Sequence, residues 1–436
     1  MSGIVLFIIL MFIIVLVGVF NERVLKMQGD IALILFSFVI CGGLFAISQI
    51  PGMENLKANL KVIGSFNFEE YLIDTVLCFM IFAGASKVNM LKFGQNLKSI
   101  SLLALLSTVI SSVMYGLLFW GVSQLLPIHM DVVTCILLGC IVSPTDPIAA
   151  TGILSKLGLS KNVMVVIESE SLFNDGTGVA LFVFFKSLVS RSGGSNFLVI
   201  MLKEIFGAVL VATVVSAIML LLFRLTREPI RQIIISLLAV SLTYMLCEHF
   251  GFSGVIASVL CGMIFGTARR RMAPRLKVED PENMYGDFWE TLESILNAIL
   301  FAMIGITILD FEMSPIILYL IPMAICIGLI GRFAGVFTSS MIIGNKKMPG
   351  GYSRMEFVSL MTWSALRGGL SLALAMSTRE FLPENIYLVV MNVVYISIFF
   401  TVIVQGLTTK KVYTVIEKKK AIRLRNSSRC NPTGKQ

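Results

Sequence analysis

Charge is scarce in this chain. Only 14% of its 436 residues are Asp, Glu, Lys or Arg, against 56% hydrophobic, too few to cover the surface of a water-soluble globule of this length. Histidine is nearly absent: His129 and His249 fall between apolar runs, where a solvated imidazole is the ordinary reading and a catalytic or metal centre is not expected. None of the eight cysteines has metal-site spacing, and they read as small core residues. Long polar stretches are missing too. The longest are a connection from about Ala268 to Asp287 and a tail of about 25 residues, which excludes a large soluble domain. The first apolar run lacks a basic leader and a small-residue cleavage site, so it is expected to stay as a helix.

What the chain does have is apolar runs. Crossing a hydrocarbon layer of roughly 30 Å takes about 20 apolar residues. Thirteen such runs can be laid down, at 3–20, 30–50, 67–87, 98–125, 131–154, 161–190, 197–224, 230–250, 252–268, 288–309, 314–343, 354–378 and 385–408. This predicts an all-α polytopic membrane protein of about 13 transmembrane helices. The split between the eighth and ninth runs rests on a tight hairpin at Glu248 to Gly251, and a twelve-span count would flip the C-terminus. Alternating the loops between sides collects nearly all Lys and Arg on one of them, including Lys87, Lys92 and Lys98, the run Arg269, Arg270, Arg271, and the tail from Lys410. The positive-inside rule then puts the N-terminus outside and the C-terminus in the cytoplasm of a cell membrane. The net charge of +9 is a topology signal, and nucleic-acid binding is a poor explanation of it. The tail, 411–436, reads as a short basic cytoplasmic segment, amphipathic near Lys411 and disordered beyond.

Two spans are unusual for a membrane helix. The fifth contains Ser143, Pro144, Thr145, Asp146, Pro147, where two prolines remove backbone donors on either side of an acid. The twelfth contains Leu366, Arg367, Gly368, Gly369, where paired glycines loosen the helix beside a base. Interrupted segments in corresponding positions of two halves point to a transport site at the membrane midplane, built from inverted repeats. Pairing spans four to six with eleven to thirteen gives that relation from hydropathy and breakers alone.

Charges inside apolar spans cost several kcal/mol each and are functional candidates. Asp146, Glu168, Glu170, Asp175, Arg332 and Arg367 qualify; Asp74 and Glu293 are weaker, close to span ends. At about 100° per residue, Glu168 and Ser171 share a face of the sixth span with Asp175, and Glu170 with Asn174 forms a second stripe. Hard cations such as Na+ take oxygen ligands. A carboxylate and a hydroxyl on one helix, facing Asp146, Thr145 and free carbonyls on a broken one, supply them. Carboxylates that share a poorly solvated pocket also compete for protons, so cation and proton replace each other, and a site that moves only when loaded couples the two fluxes. Glu170 needs a cationic partner, and Arg332 is the best available because a guanidinium at that depth must be paired. Arg367 is the alternative partner, or stands in for a cation where the broken helices cross. Glu168 is a ligand or a funnel residue; Glu69, Glu70 and Asp74 read as an outer rim, and Glu290 and Glu293 as helix-start residues favoured by the dipole.

At these residues the chain resembles the sodium/proton exchangers of the cation/proton antiporter superfamily, in particular the NhaP/NHE-type branch. The matching motifs are Ser143 to Pro147, Glu170 to Gly176, Leu366 to Gly369, and Gly331 with Arg332. The resemblance covers nearly the whole chain except the tail. It implies a homodimer with two crossed discontinuous helices, in which a core (about 98–190 and 314–408) slides elevator-fashion against a scaffold (about 3–87 and 197–309) within a transmembrane domain of 1–410. It implies that Thr145, Asp146, Ser171 and Asp175 hold Na+ or Li+, with Asp146 and Asp175 as its carboxylates, and that Glu170 and Arg332 form an ion pair behind them. Asn174 stands where the electrogenic branch has a second aspartate, which implies electroneutral exchange of one cation for one proton. One departure stands out: many relatives carry an acid near the end of the third span, where this chain has Phe82, Ala83, Gly84, Ala85, so that role is absent or moved to Asp74. The short tail points to a bacterial or archaeal form. No cofactor and no covalent catalysis are expected; the partners are Na+, H+ and lipid. A potassium/proton antiporter is the alternative within the class, and a cation channel or transport-inactive membrane sensor the alternative outside it, although the filter loops and charged rings of channels are not found.

Overall fold

The computed structural model describes residues 3–25, 29–48, 50, 53, 76–88, 90–125, 129–146, 151–152, 154–155, 157–190, 197–276, 284–307, 316–344 and 348–429. Among them the chain is helical almost throughout. Helices α1 (Gly3–Phe20), α2 (Gly29–Ser48) and α3 (Leu77–Lys87) are followed by α4 (Met90–Ser101), which passes through a π turn at Leu102–Ser107 into α5 (Thr108–Ser123). Then come α6 (Val132–Val142), α7 (Lys161–Val189), α8 (Phe197–Leu225), α9 (Pro229–Phe250), α10 (Gly254–Leu276), α11 (Met284–Thr307) and α12 (Ile317–Ile343). The chain ends with α13 (Arg354–Trp363), α14 (Gly369–Ser377), α15 (Glu384–Phe399), a second π turn at Phe400–Gln405, and α16 (Gly406–Arg429).

Local chemistry explains several of these limits. Asp131 caps α6 by accepting from the Thr134 backbone N–H at 3.1 Å. Ser353 and Glu356 form a reciprocal capping box at the start of α13. The hairpin expected at Glu248 to Gly251 is present: α9 stops at Phe250, and Gly251 takes a left-handed φ of +66° that only glycine adopts at no steric cost. The fifth and twelfth runs do not continue as single helices. The fifth stops at Val142, and the twelfth is split into α13 and α14.

Seven described helices, from 94–123 to 384–426, are long and apolar enough to cross a bilayer. Their outward faces fit that solvent. On α8, Phe206, Leu210, Val214, Ile218 and Leu221 repeat at one-turn spacing, all at least half exposed, a stripe that water would disfavour and lipid accepts. Together these features make the chain a multi-pass membrane protein. Helices α4–α7 pack mainly on one another and on α12–α15, while α3 packs on α10, α11 on α2, and α8 on α9 and α10.

The tail departs from expectation. It is helical to Arg429, held by partners distant in sequence. Tyr352 donates to Glu417, Arg423 reaches Glu356 at 3.0 Å and the Gly351 carbonyl at 2.7 Å, and Lys420 lies 3.9 Å from the Tyr352 ring centroid. Composition predicted disorder because these contacts cannot be read locally. Asp74, Glu69, Glu70 and Pro147 lie outside the described residues.

Helices α5 and α6 pack backbone against backbone. A Cβ on Gly139 would run into the Ser112 carbonyl, and one on Gly116 into the Ile136 backbone, so neither backbone could give way. Gly139→Val is expected to cost about 1–3 kcal/mol and to lower the yield of monodisperse protein in detergent. Gly121→Ala, where an added Cβ meets nothing within 4 Å, should leave the yield unchanged.

Candidate functional site

Past Val142 the chain bends at Ser143 and is non-helical to Asp146, and the Asp146 backbone N–H donates to the Leu366 carbonyl at 2.8 Å. Asp146 and Leu366 form an isolated antiparallel bridge, so the two broken helices meet through their main chains. Glycine at 368 allows this close approach: a Cβ there would stand 2.8 Å from the Asp146 carboxylate and 3.0 Å from its Cβ.

Helix α7 braces this crossing from one side. The Thr145 backbone N–H donates to Asn174 Oδ1 at 3.3 Å, and Asn174 Nδ2 returns a bond to Thr145 Oγ1 at 2.7 Å. The Thr145 hydroxyl also lies 3.2 Å from the Ser171 hydroxyl. The same carboxamide donates to Glu170 Oε1 at 3.1 Å. Arg332 then grips Glu170 with two nitrogens, Nη1 to Oε1 at 2.8 Å and Nη2 to Oε2 at 3.0 Å. Both members of this pair are buried, at 5% and 1% side-chain exposure, so the bidentate geometry is what makes the charges tolerable.

Asp146 and Asp175 both line a cavity of about 390 Å³, together with Thr145, Glu168 and Ser371. Each aspartate is half-buried, and the charged neighbours of Asp175 are Asp146 and Glu170. Towards the ends of α3, α7 and α11 the cavity is lined by Lys87, Glu168, Glu290 and Glu293. Oxygen atoms of two carboxylates and a hydroxyl lining one cavity are a donor set for a hard monovalent cation.

The expected residues are therefore brought together, with three differences. Ser171 does not line the cavity with Glu168 and Asp175. It is turned towards Thr145, and the third member of the cavity stripe is Leu172, four residues after Glu168 and three before Asp175. Arg367 is neither the partner of Glu170 nor a cation substitute in the cavity. It is 6% exposed and lines a separate space of about 20 Å³ beside Arg332 and Thr401, with its own backbone N–H donating to Thr401 Oγ1 at 3.1 Å. Glu293 is not a helix-start residue: α11 begins at Met284, and Glu293 is buried, lines the cavity and pairs with Lys87 at 2.7 Å. Its carboxylate lies 3.5 Å from where a Gly84 Cβ would stand. The acid beside the Phe82 to Ala85 stretch thus comes from α11. An acidic residue well past the first turn of an apolar helix was the available signal, because the dipole argument holds only within that turn.

Arg332→Ala leaves Glu170 buried without its counter-charge. It is expected to cost about 3–5 kcal/mol, and to lower the yield and melting temperature of detergent-purified protein more than Asp175→Asn. Removing both charges, as Arg332→Met with Glu170→Leu, should restore much of the loss; a double variant no better than the single one would count against the pairing as the source of the effect.

Comparison with known proteins bears on this arrangement. Over 405 residues the chain is 28% identical to the Na(+)/H(+) antiporter NhaP of Pseudomonas aeruginosa, covering 89% of this chain and 91% of that protein. It is 28% identical over 402 residues to the Na(+)/H(+) antiporter NhaH of Halobacillus aidingensis, covering 89% and 92%. The fold matches the structure of the sodium proton antiporter MjNhaP1 from Methanocaldococcus jannaschii at pH 8 with a TM-score of 0.73 at 18% identity, over 96% of this chain and 99% of that one. Residues 58–414 match the family described as sodium/hydrogen exchanger, transmembrane, and with that match over most of its length the chain belongs to the sodium/hydrogen exchanger family.

Proposed function

We propose that this protein is a secondary antiporter that exchanges Na+, or Li+, for H+ across the cell membrane, one for one, without a cofactor. The observation that carries the reading is the shared cavity of Asp146 and Asp175, with one carboxylate on an unwound segment and the other on the helix that braces it. Curated relatives of similar length carry the same activity in their names.

Two carboxylates around a small cavity in low dielectric repel each other, and a cation or a proton relieves the repulsion. Thr145 offers a hydroxyl on the same cavity, and Ser171, 3.2 Å from it, orients that hydroxyl. Asn174 is neutral and occupied with Thr145 and Glu170, so it adds no titratable charge, and Asp175 alone on α7 alternates between cation and proton. That supports electroneutral exchange. Glu170 with Arg332 is architecture behind the site. Lys87 and Glu168 also line the cavity, and Lys87 belongs to the Lys-rich side of the loops, which the positive-inside rule makes cytoplasmic; in this reading the cavity faces inward. There Glu293, held by Lys87, joins Glu168 as a funnel acid. Alternation would follow if the α4–α7 and α12–α15 group slides against the remaining helices in a homodimer, with the bridged pair of broken helices moving as one piece.

In everted vesicles loaded with a pH dye, Asp175→Asn should reduce Na+-driven proton movement to background while protein yield is retained. For the unaltered protein, the apparent KM for Na+ should rise in proportion to proton concentration at constant maximal rate, and an imposed membrane potential should leave the rate unchanged. Substantial exchange by Asp175→Asn would remove that residue from the site, and steep voltage dependence would overturn the one-for-one stoichiometry.

A further inference from the structure

Arg367 and Gly368, adjacent in the chain, serve two different spaces. Gly368 lines the cavity of Asp146 and Asp175, and Arg367 lines the space of about 20 Å³. The polar side chains around that small space are Arg332 from α12, Thr362 from α13, Arg367, Ser397 from α15, and Thr401 and Gln405 from the π turn that follows α15. All six are buried, and π turns inside helices are frequent at functional sites.

The charges in this cluster do not balance. Arg332 is matched by Glu170. Arg367 is not: its electrostatic neighbours are Tyr115 and Arg332, with no carboxylate among them. A guanidinium cannot shed its proton, and a charge at this depth is expensive without a counter-charge. The carbonyl end of α13, just before Arg367 in the chain, offers about half a unit of negative charge at most. Donors are left over as well. Among the described residues, Arg332 Nε, Arg367 Nη1 and the Thr362 hydroxyl are buried without a partner, while the Thr401 hydroxyl already accepts from the Arg367 backbone N–H.

A space of this size takes one particle about as large as a water molecule. Two guanidiniums exclude a metal cation. Water would meet the hydrogen bonds but leave the charge, whereas a monatomic anion meets both. Gln405, whose Nε2 holds the Thr362 carbonyl at a long 3.5 Å, can turn its amide to present donors in place of its unpartnered Oε1.

We propose that one chloride ion binds here, between the Arg332 and Arg367 guanidiniums, and neutralises Arg367. The ion joins α12, the second broken helix and the last membrane-crossing helix at one point. It also weakens the repulsion that Arg367 exerts on a cation beside Asp146; that consequence rests on the antiport reading, and the binding itself does not.

The test uses the full-length protein in detergent, its melting temperature followed as sodium gluconate is replaced by sodium chloride or bromide at constant Na+, so that the cation cavity is unaffected. Expected is a saturable rise with either halide and a smaller one with sodium sulfate, although sulfate is the stronger general stabiliser. Arg367→Met removes the unmatched charge and should not respond to halide. Gly328→Ala keeps every charge. Its Cβ would stand 3.6 Å from Arg367 Nη2, an ordinary contact, while narrowing the space that Gly328 lines, so the halide concentration giving half the rise should increase severalfold. Crystals grown with bromide should show its anomalous peak between Arg332 and Arg367. Equal melting in gluconate and halide would overturn the proposal, as would a halide response unchanged in either variant. Bromide peaks found only elsewhere would do the same, leaving an adventitious ion only.

Discussion

An unwound segment deep in a membrane protein persists only where protein replaces the hydrogen bonds that water cannot supply. Here that replacement depends on one carboxamide. Asn174 accepts from the Thr145 backbone and donates to the Thr145 hydroxyl and to Glu170, and Glu170 is itself fixed by two bonds from Arg332. The order of dependence runs from α12 through α7 to the segment after α6. Without Arg332, Glu170 would be an uncompensated buried charge; without Glu170, Asn174 would lose the acceptor that orients its amide. The position of Thr145, next to Asp146, follows from that chain of contacts.

The same helix divides its side chains among separate tasks by angle alone. Glu168, Leu172 and Asp175 line the cavity, Glu170 and Asn174 face Arg332 and Thr145, and Ser171 lies between the two groups beside the Thr145 hydroxyl. Six polar residues within eight positions, Ser169 among them, would be costly on a helix facing lipid. They are tolerated because each sector meets a different polar surface: an open cavity, an ion pair, or an unwound backbone.

Much of this was legible in the sequence because the signals are local. Prolines flanking Asp146, glycines after Arg367 and two acidic stripes on one apolar run are violations of membrane-helix chemistry that need no knowledge of neighbours. The pairing of Glu170 with Arg332 was legible as well, because a permanent charge at that depth needs a counter-charge, and the structure makes it; that Arg367 turns to a separate space was not, since it depends on packing that periodicity does not encode. Glu293 was misread because its distance from the start of α11 was underestimated: the helix begins at Met284, and the pairing with Lys87 joins residues on helices far apart in sequence. The tail was misread for the same reason, as its anchors lie 65 to 72 residues earlier. Exposed or half-exposed contacts between distant segments escaped, and whatever depends on a charge being out of place in lipid did not.

The bridge between Asp146 and Leu366 has a mechanical consequence. Each broken helix leaves backbone groups free at its interruption, and part of that deficit is met by the other's main chain. A hydrogen bond at 2.8 Å between two main chains leaves no side chain to rotate out of the way, so separating the segments would leave a backbone donor and acceptor without each other. Moving them together costs nothing of the kind. If access alternates between the two sides of the membrane, the displacement therefore has to occur at the surfaces around the α6 and α13–α14 crossing, leaving the crossing itself intact. The oxygen atoms of Asp146, Thr145 and Asp175 then keep their relation to one another while the walls that α3 and α11 lend the cavity change, which is the condition for one site to offer the same oxygen atoms to a cation on both sides.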